Sequence, residues 1–218
     1  MNKNNNGKVP VLTIVVIFVA VMGLGYFLFT SSPQNPKQNQ SSAVANIDSM
    51  HGGPSVDTNS ETLNSLVGKP MPDIQLADKD GKIYTVAEFK GKNTVLFFNE
   101  GLMCYPACWN QMAAFGSDER FNSDQIQAIS IVVDPAKDWQ RAISKMPQLA
   151  KATTMFDTNA NASRELGLLT LASSMHKGAL PGHTYVVIDK NGVVRYVFDD
   201  PNMAIANDML FNKIGELK

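Results

Sequence analysis

The chain has two cysteines, Cys104 and Cys108, in the stretch VLFFNEGLMCYPACWNQM (Val95–Met112). If a helix begins just after the apolar run, the two residues stand at i and i+4, and their side chains lie on one face of that helix. Helix geometry then places their Cα atoms roughly 6 Å apart, inside the usual disulfide range of ~4.4–6.8 Å. An intramolecular disulfide between them is therefore feasible.

Four roles are open to such a pair. The thiols can form a redox couple, contribute ligands to a metal, or pack as small apolar side chains, which is the usual role of free cysteine. They can also form a purely structural disulfide, although a loop this short restrains the unfolded chain little. Because these are the only cysteines and stand at a predicted strand-to-helix turn, we favour the redox couple.

The position of each cysteine predicts its part in the reaction. Cys104 stands at or before the first helical turn, where unpaired backbone N–H groups and the helix dipole favour the thiolate. Cys108 stands about one turn further along. We therefore expect Cys104 to be the nucleophile and Cys108 the resolving cysteine. Glu100 could accept a cysteine proton, but we expect its carboxylate to be solvated.

Composition limits the class of protein that must position these residues. The 218 residues are 44% hydrophobic, with 19 basic and 20 acidic side chains, so the chain can bury one sizeable core. It has no run of Lys and Arg interleaved with aromatic residues, and we therefore predict no nucleic-acid partner. Two cysteines are too few for a disulfide scaffold.

The first part of the chain predicts a membrane anchor. The segment 9–29 carries no charge and matches the ~20 apolar residues that span a bilayer. It is too long for the ~7–15-residue apolar region of a cleaved signal peptide, the competing interpretation. Lys3 and Lys8 place residues 1–8 in the cytoplasm by the positive-inside rule. We thus predict a single-pass protein of the cell membrane, with a flexible, polar linker over 30–65 and the rest outside.

A folded domain is predicted over residues 66–218. Thr94–Phe98 and Ile126–Asp134 have the apolar character of buried strands, and helical patterns follow each of them. Alternating strands and helices indicate a parallel sheet. Near the C-terminus, Asn191-Gly192 predicts an antiparallel hairpin, and a final helix is expected to start near Pro201. The fold class is α/β, with a mixed central sheet flanked by helices.

The order of these segments resembles a known family. VGKPMPDIQLADKDGK, FKGKNTVLFFNEG, the cysteine pair, ISIVVD and LPGHTYVVIDKNGVVRYV together resemble the redoxin branch of the thioredoxin fold. That branch includes AhpC/TSA peroxiredoxins and membrane-tethered TlpA-like thiol–disulfide oxidoreductases. The resemblance implies a thioredoxin-like domain from about Leu66 to Lys218.

Two departures from this family bear on the reaction. In the peroxiredoxin pattern a proline lies seven residues before the peroxidatic cysteine and a Thr or Ser lies three before it, whereas this chain has Phe97 and Gly101. The hydroxyl that would orient a peroxide is thus missing. TlpA-like proteins typically have two residues between their cysteines, and this chain has three.

The resemblance also implies roles for two distant residues. Thioredoxin-like folds place a cis proline opposite the cysteine pair, and Pro181 is the residue that matches. The three-residue spacing is similar to that of Sco-type copper-delivery proteins, which use a distant histidine, here His183. Thiolates select Cu(I) and imidazole suits both copper states, so Cys104, Cys108 and His183 are an alternative copper site.

The leading hypothesis is an extracytoplasmic, membrane-anchored thiol–disulfide oxidoreductase without a cofactor. Its expected site consists of Cys104, Cys108 and Pro181, and its expected partners are the membrane and protein thiols or disulfides. One alternative is an antioxidant thiol peroxidase, in which peroxide oxidises Cys104 to a sulfenic acid and Cys108 condenses with it. The other alternative is Sco-like copper binding and delivery.

Overall fold

The computed structural model of the protein describes residues 58–217. The predicted cytoplasmic head (1–8), the transmembrane anchor (9–29) and the linker as far as residue 57 lie outside the described residues. Within 58–217, no helix combines the length and the apolar character needed to cross a membrane.

The described residues form one mixed sheet of seven strands in the order β2-β1-β5-β4-β3-β6-β7. The neighbours β3, β4 and β5 are parallel, whereas β6 pairs antiparallel with both β3 and β7. The predicted thioredoxin-like α/β fold with a mixed sheet is confirmed. The strands are β1 (Leu76–Ala77), β2 (Ile83–Tyr84), β3 (Asn93–Asn99), β4 (Ile126–Val132), β5 (Thr154–Phe156), β6 (Thr184–Ile188) and β7 (Val194–Asp199).

Five α-helices accompany the sheet in the described part of the chain. One helix connects β3 to β4 and another connects β4 to β5, which is the connection that parallel neighbours require. The helices are α1 (Thr58–Asn64), α2 (Ala107–Ser117), α3 (Ala136–Lys145), α4 (Asn161–Glu165) and α5 (Asn207–Gly215).

The central strands divide the core between the two faces of the sheet. Along β3, Leu96 and Phe98 pack into one apolar cluster, whereas Val95 and Phe97 pack into the other. This alternation follows from the two-residue period of a strand, and it makes β3 apolar on both faces. Both cysteines belong to the same cluster as Phe97. The cysteine pair therefore packs against one defined face of the sheet.

The C-terminal elements follow the sequence pattern with one correction. The hairpin of β6 and β7 turns at Asp189–Gly192, and Gly192 adopts a φ of +82° there. The final helix does not start near Pro201, as predicted, but at Asn207. Its start is delayed because the Asp200 carboxylate accepts hydrogen bonds from the backbone N–H groups of residues 202 and 204, which holds that segment as a turn.

The folded part begins earlier than the predicted boundary at Leu66. Helix α1 lies inside the predicted linker, so that prediction is wrong for its last residues. The reason is that Leu63 is only 3% exposed and belongs to the same apolar cluster as Leu96 and Phe98. Burying a leucine side chain contributes about 1.5–3 kcal/mol, enough to order a short helix at the edge of a core.

We therefore expect Leu63→Ala to lower the free energy of unfolding by about 2 kcal/mol or more, because it leaves a cavity in the core. Val67→Ala is the matched control, since Val67 is 44% exposed and its truncation removes little buried surface. Urea unfolding of a fragment that starts at Thr58 measures both. Equal stability of the two variants would place Leu63 outside the folded unit.

Candidate redox site

The two cysteines lie where β3 passes into α2. A single 3₁₀ turn, Gly101–Met103, follows β3, Cys104 ends that turn, and Cys108 is the second residue of α2. Cys104 thus lies before the first turn of α2, as the prediction allowed, whereas the prediction that Cys108 lies about one turn into the helix is wrong. The two cysteines still keep the i, i+4 relation of a continuous helix, because the Cys108 N–H donates to the Cys104 carbonyl at 3.0 Å.

Cys104 and Cys108 form a disulfide, with their Cα atoms 5.4 Å apart. The two residues are 2% and 0% exposed, respectively. Their sequence neighbours differ from them sharply, because Met103 and Tyr105 are 58% and 64% exposed. The disulfide thus lies just beneath the surface, flanked by two exposed apolar side chains.

His183 is brought to the disulfide by the pairing of β3 with β6. The register places Phe98 opposite Thr184, so the end of β3 and the start of β6 lie side by side. The Nδ1 atom of His183 lies 3.5 Å from the Cys108 Sγ atom, and its Nε2 atom lies 2.7 Å from the Tyr185 hydroxyl. The imidazole is fully buried between a sulfur atom and a phenol.

These contacts define the protonation of the imidazole. Burial lowers the pKa of His183 to about 4, so the ring is neutral near pH 7. Burial raises the pKa of Tyr185 well above its usual range, so its hydroxyl keeps its proton. Within the described residues that hydroxyl has one acceptor, Nε2 of His183. We therefore assign the tautomer in which Tyr185 donates to Nε2, and the Nδ1–H group of His183 faces the Cys108 sulfur.

The same three side chains have a composition that suits a soft metal. The Sγ atoms of Cys104 and Cys108 and one ring nitrogen of His183 all lie within 4.8 Å of one another, and all three residues are buried. Two thiolates and an imidazole are ligands that Cu(I) accepts. Because the cysteines are joined in a disulfide here, metal binding would require their reduction first.

Glu100 is not solvated, contrary to the prediction. Its side chain is fully buried and accepts hydrogen bonds from the backbone N–H groups of Met175 and His176, at 2.7 and 3.1 Å. Its other oxygen lies 2.9 Å from Nδ1 of His176. Three hydrogen bonds compensate the cost of burying the carboxylate and tie the cysteine turn to the segment before β6. Glu100 is thus a structural link rather than a solvated base.

The backbone conformation at Gly101 explains why this position, three residues before Cys104, carries no Thr or Ser hydroxyl. This glycine has a φ of +60°, and a Cβ atom placed on it would lie 1.7 Å from Oδ2 of Asp134. The same oxygen accepts a hydrogen bond from the Leu102 N–H at 2.8 Å. Desolvation raises the pKa of this carboxyl above its usual range. No Thr or Ser can therefore occupy the position three residues before Cys104 without moving Asp134.

Pro181 does not adopt the predicted cis bond. Within residues 58–217, the Tyr105–Pro106 peptide bond is the only one that is cis. The backbone after Pro181 is closely packed. A Cβ atom at Gly182 would lie 2.0 Å from Ser173 Oγ, and the His183 N–H donates to that same oxygen at 2.7 Å. This anchoring directs the imidazole of His183, not a proline ring, to the sulfur of Cys108.

The sequence profile of the Redoxin family matches residues 66–210, about two thirds of the chain. This chain belongs to the redoxin family. The match covers every strand of the sheet and both cysteines.

Named relatives of this redoxin include plant peroxiredoxins. It is 33% identical over 139 residues to the chloroplastic peroxiredoxin Q of Triticum aestivum, an alignment that covers 61% of this chain and 58% of that protein. It is 29% identical over 186 residues to the chloroplastic peroxiredoxin Q of Populus jackii, covering 78% of this chain and 82% of that protein. This chain therefore spans less than two thirds of the length of the wheat protein.

Solved structures with a similar fold include the peroxidoxin BcpB of Mycobacterium tuberculosis and a peroxiredoxin-like protein of Aquifex aeolicus. Each superposes with a TM-score of 0.57 over 70% of this chain, and the matches cover 97% and 87% of the two structures. Their sequence identities to this redoxin are 18% and 20%. At these identities the similarity establishes the fold and does not transfer a reaction.

Sequence reasoning missed Tyr185 and His176. The sequence could have indicated Tyr185 as a partner of His183, because Tyr185 stands two residues after it and alternate residues of a strand share a face. Nothing in the sequence indicated His176, because its contact with Glu100 joins residues 76 positions apart and His176 lies in an irregular segment.

The assigned tautomer can be tested with Tyr185→Phe. The variant removes the hydroxyl that donates to Nε2 of His183, so we expect ¹⁵N NMR to show His183 changing from mainly Nδ1-protonated to a mixture of tautomers. Tyr196→Phe is the control, since it removes a phenol from β7 and leaves this contact intact. An unchanged His183 spectrum in Tyr185→Phe would refute the assignment.

Proposed function

We propose that this chain is a thiol-based oxidoreductase whose two-electron redox centre is Cys104 and Cys108. The observation that carries the proposal is the disulfide just beneath the surface, with a neutral imidazole N–H directed at one of its sulfur atoms. Membership of the redoxin family and the similarity to proteins named peroxiredoxin Q support the same class of reaction.

The reaction with a disulfide proceeds by two exchanges. In the reduced protein the Cys104 thiolate attacks one sulfur of the substrate, which forms a mixed disulfide and releases the first substrate thiolate. Cys108 then attacks the Cys104 sulfur, which restores the intramolecular disulfide and releases the second thiolate. Two electrons pass from the protein to the substrate, and the reverse sequence would oxidise a substrate dithiol.

Exposure supports Cys104 as the attacking residue. Both cysteines are buried, but Cys104 lies between the exposed residues Met103 and Tyr105, whereas Cys108 is enclosed next to His183. The helix dipole no longer separates the two residues, because Cys108 stands closer than Cys104 to the start of α2. The Nδ1–H group of His183 would stabilise negative charge on Cys108, which prepares that sulfur to resolve the mixed disulfide.

A hydroperoxide is the second candidate oxidant. The relatives named peroxiredoxin Q favour it. Cys104 would then be oxidised to a sulfenic acid with release of an alcohol or water, and condensation with Cys108 would release water. Gly101 argues for the disulfide instead, since that position can hold no hydroxyl to orient a peroxide. We therefore propose the disulfide as the faster oxidant.

Copper binding is a separate candidate function, favoured by the grouping of Cys104, Cys108 and His183 within 4.8 Å. In the reduced protein these three residues would bind copper, and the site would then serve metal transfer rather than thiol chemistry.

Single cysteine variants test the proposed order of attack. Cys108→Ser should accumulate a mixed disulfide at Cys104, because the attack that releases the partner is lost. Cys104→Ser should accumulate at least tenfold less, since Cys108 is enclosed. Mass spectrometry after incubation with a small disulfide measures both species, and each variant serves as the control for the other. Trapping mainly at Cys108 would reverse the assignment of the two residues.

The oxidant is tested by stopped-flow oxidation of the reduced protein. We expect a small disulfide to react faster than hydrogen peroxide, because nothing at Gly101 positions the peroxide. A faster reaction with peroxide would make the chain a thiol peroxidase. Slow reactions with both oxidants, together with tight Cu(I) binding and a loss of Cu(II) binding in His183→Ala, would favour the copper function instead.

We also propose that the redoxin domain is held outside the cytoplasm by a single membrane anchor. The support is the uncharged stretch 9–29, preceded by Lys3 and Lys8. This location would keep the cysteine pair away from the reducing cytosol, where a disulfide of this kind is rare.

The orientation can be tested in a variant without native cysteines. An impermeant thiol reagent should label Lys79→Cys in intact cells, since Lys79 is well exposed in the folded domain. Asn5→Cys, placed in the predicted cytoplasmic head, is the matched control and should be labelled only after lysis. The opposite pattern would reverse the orientation, and labelling of neither site before lysis would place the whole chain inside.

A further inference from the structure

A groove of about 740 Å³ opens beside the turn that carries Cys104. Its walls come from the cysteine turn, from the first turn of α2 and from the C-terminal half of α3 with the residues after it. The residues that line it are Leu102, Met103, Tyr105, Trp109, Arg141, Ala142, Lys145, Met146 and Gln148.

The groove borders the turn that carries Cys104, and the buried Cys104 side chain itself does not line it. Met103 and Tyr105, the immediate neighbours of Cys104 in the chain, both line it. Trp109 forms part of the floor and is only 3% exposed, and Tyr105 packs edge-on against it with a centroid distance of 4.9 Å. These side chains present an apolar, largely aromatic surface, which favours an apolar or aromatic substrate body.

One side of the groove is basic. Arg141 and Lys145 stand four residues apart on α3, so both lie on the face that borders the groove. Arg141 is paired with Asp138 at 3.3 Å. Lys145 forms no ion pair with any residue of 58–217, and no acidic residue lines the groove. The rim therefore carries an uncompensated positive charge.

We propose that this groove binds a low-molecular-weight disulfide whose aromatic or apolar body carries a carboxylate. The apolar body would lie against Tyr105 and Trp109, and the carboxylate would face Lys145, which brings the substrate sulfur to the turn that carries Cys104. The inference rests on the proposed thiol–disulfide exchange and specifies its substrate class. The chemical step is the same exchange, in which the bound disulfide takes two electrons from the cysteine pair and leaves as two thiols.

The test compares two aromatic disulfides that differ in charge. Dithiobis(nitrobenzoate) carries a carboxylate on each ring, and dithiodipyridine is neutral near pH 7. The measured quantity is the ratio of their second-order rate constants with the reduced full-length protein. Lys145→Gln should lower this ratio about threefold, the size expected for a single exposed charge. Lys137→Gln removes an identical charge from the same helix, away from the groove, and should leave the ratio unchanged.

Two further measurements sharpen the result. Adding Arg141→Gln to Lys145→Gln should lower the ratio again, and raising the ionic strength should reduce the difference between the native protein and Lys145→Gln. A ratio that is unchanged in Lys145→Gln, or that falls equally in Lys137→Gln, overturns the groove as a carboxylate site. In those cases a preserved reaction with dithiodipyridine keeps the proposed function intact. If neither disulfide oxidises the cysteine pair, the proposed function fails and this inference fails with it.

Discussion

The antiparallel register between β3 and β6 is the constraint on which the site depends. It places Phe97 opposite Tyr185 and Phe98 opposite Thr184. The rings of Phe97 and Tyr185 stack with centroids 4.8 Å apart, and the turn that carries the cysteines follows β3 directly. A slip of one residue would turn Tyr185 to the opposite face of the sheet and remove the imidazole from Cys108. The chemistry of the cysteine pair is thus set by strand pairing.

The irregular segment 173–176, which precedes β6, makes hydrogen bonds to both sides of this site, to Glu100 before the cysteine turn and to His183. The segment's backbone N–H groups bind the buried Glu100 carboxylate, which fixes the turn that leads to Cys104. The Ser173 hydroxyl in the same segment accepts from the His183 N–H and binds the Asp199 carboxylate. Removing the Glu100 side chain would take away the acceptor of both N–H groups and detach the turn before Cys104 from this segment. The polar network therefore fixes the distance between the imidazole and the disulfide.

The similarity to peroxiredoxins favours a peroxide as the oxidant, whereas the local backbone at Gly101 favours a disulfide. The fold is shared with proteins of 18–20% identity, and a shared fold leaves the reaction open. Asp134 both supports the turn through the Leu102 N–H and occupies the space that a side chain at position 101 would need. The turn that carries Cys104 therefore excludes the hydroxyl of the peroxiredoxin pattern. This local constraint is why we propose the disulfide as the faster oxidant.

The sequence alone determined the features that depend on local pattern. The apolar runs predict β3 and β4, and the Asn-Gly pair predicts the hairpin. The cysteine spacing predicts that a disulfide can form. Each of these features depends on residues only a few positions apart in the chain. Tertiary structure decided the rest. The turn that precedes α2 and the burial of Glu100 depend on partners far along the chain, Asp134 and Met175. The contact of His183 with Cys108 joins residues 75 positions apart, and only the pairing of β3 with β6 could bring them together.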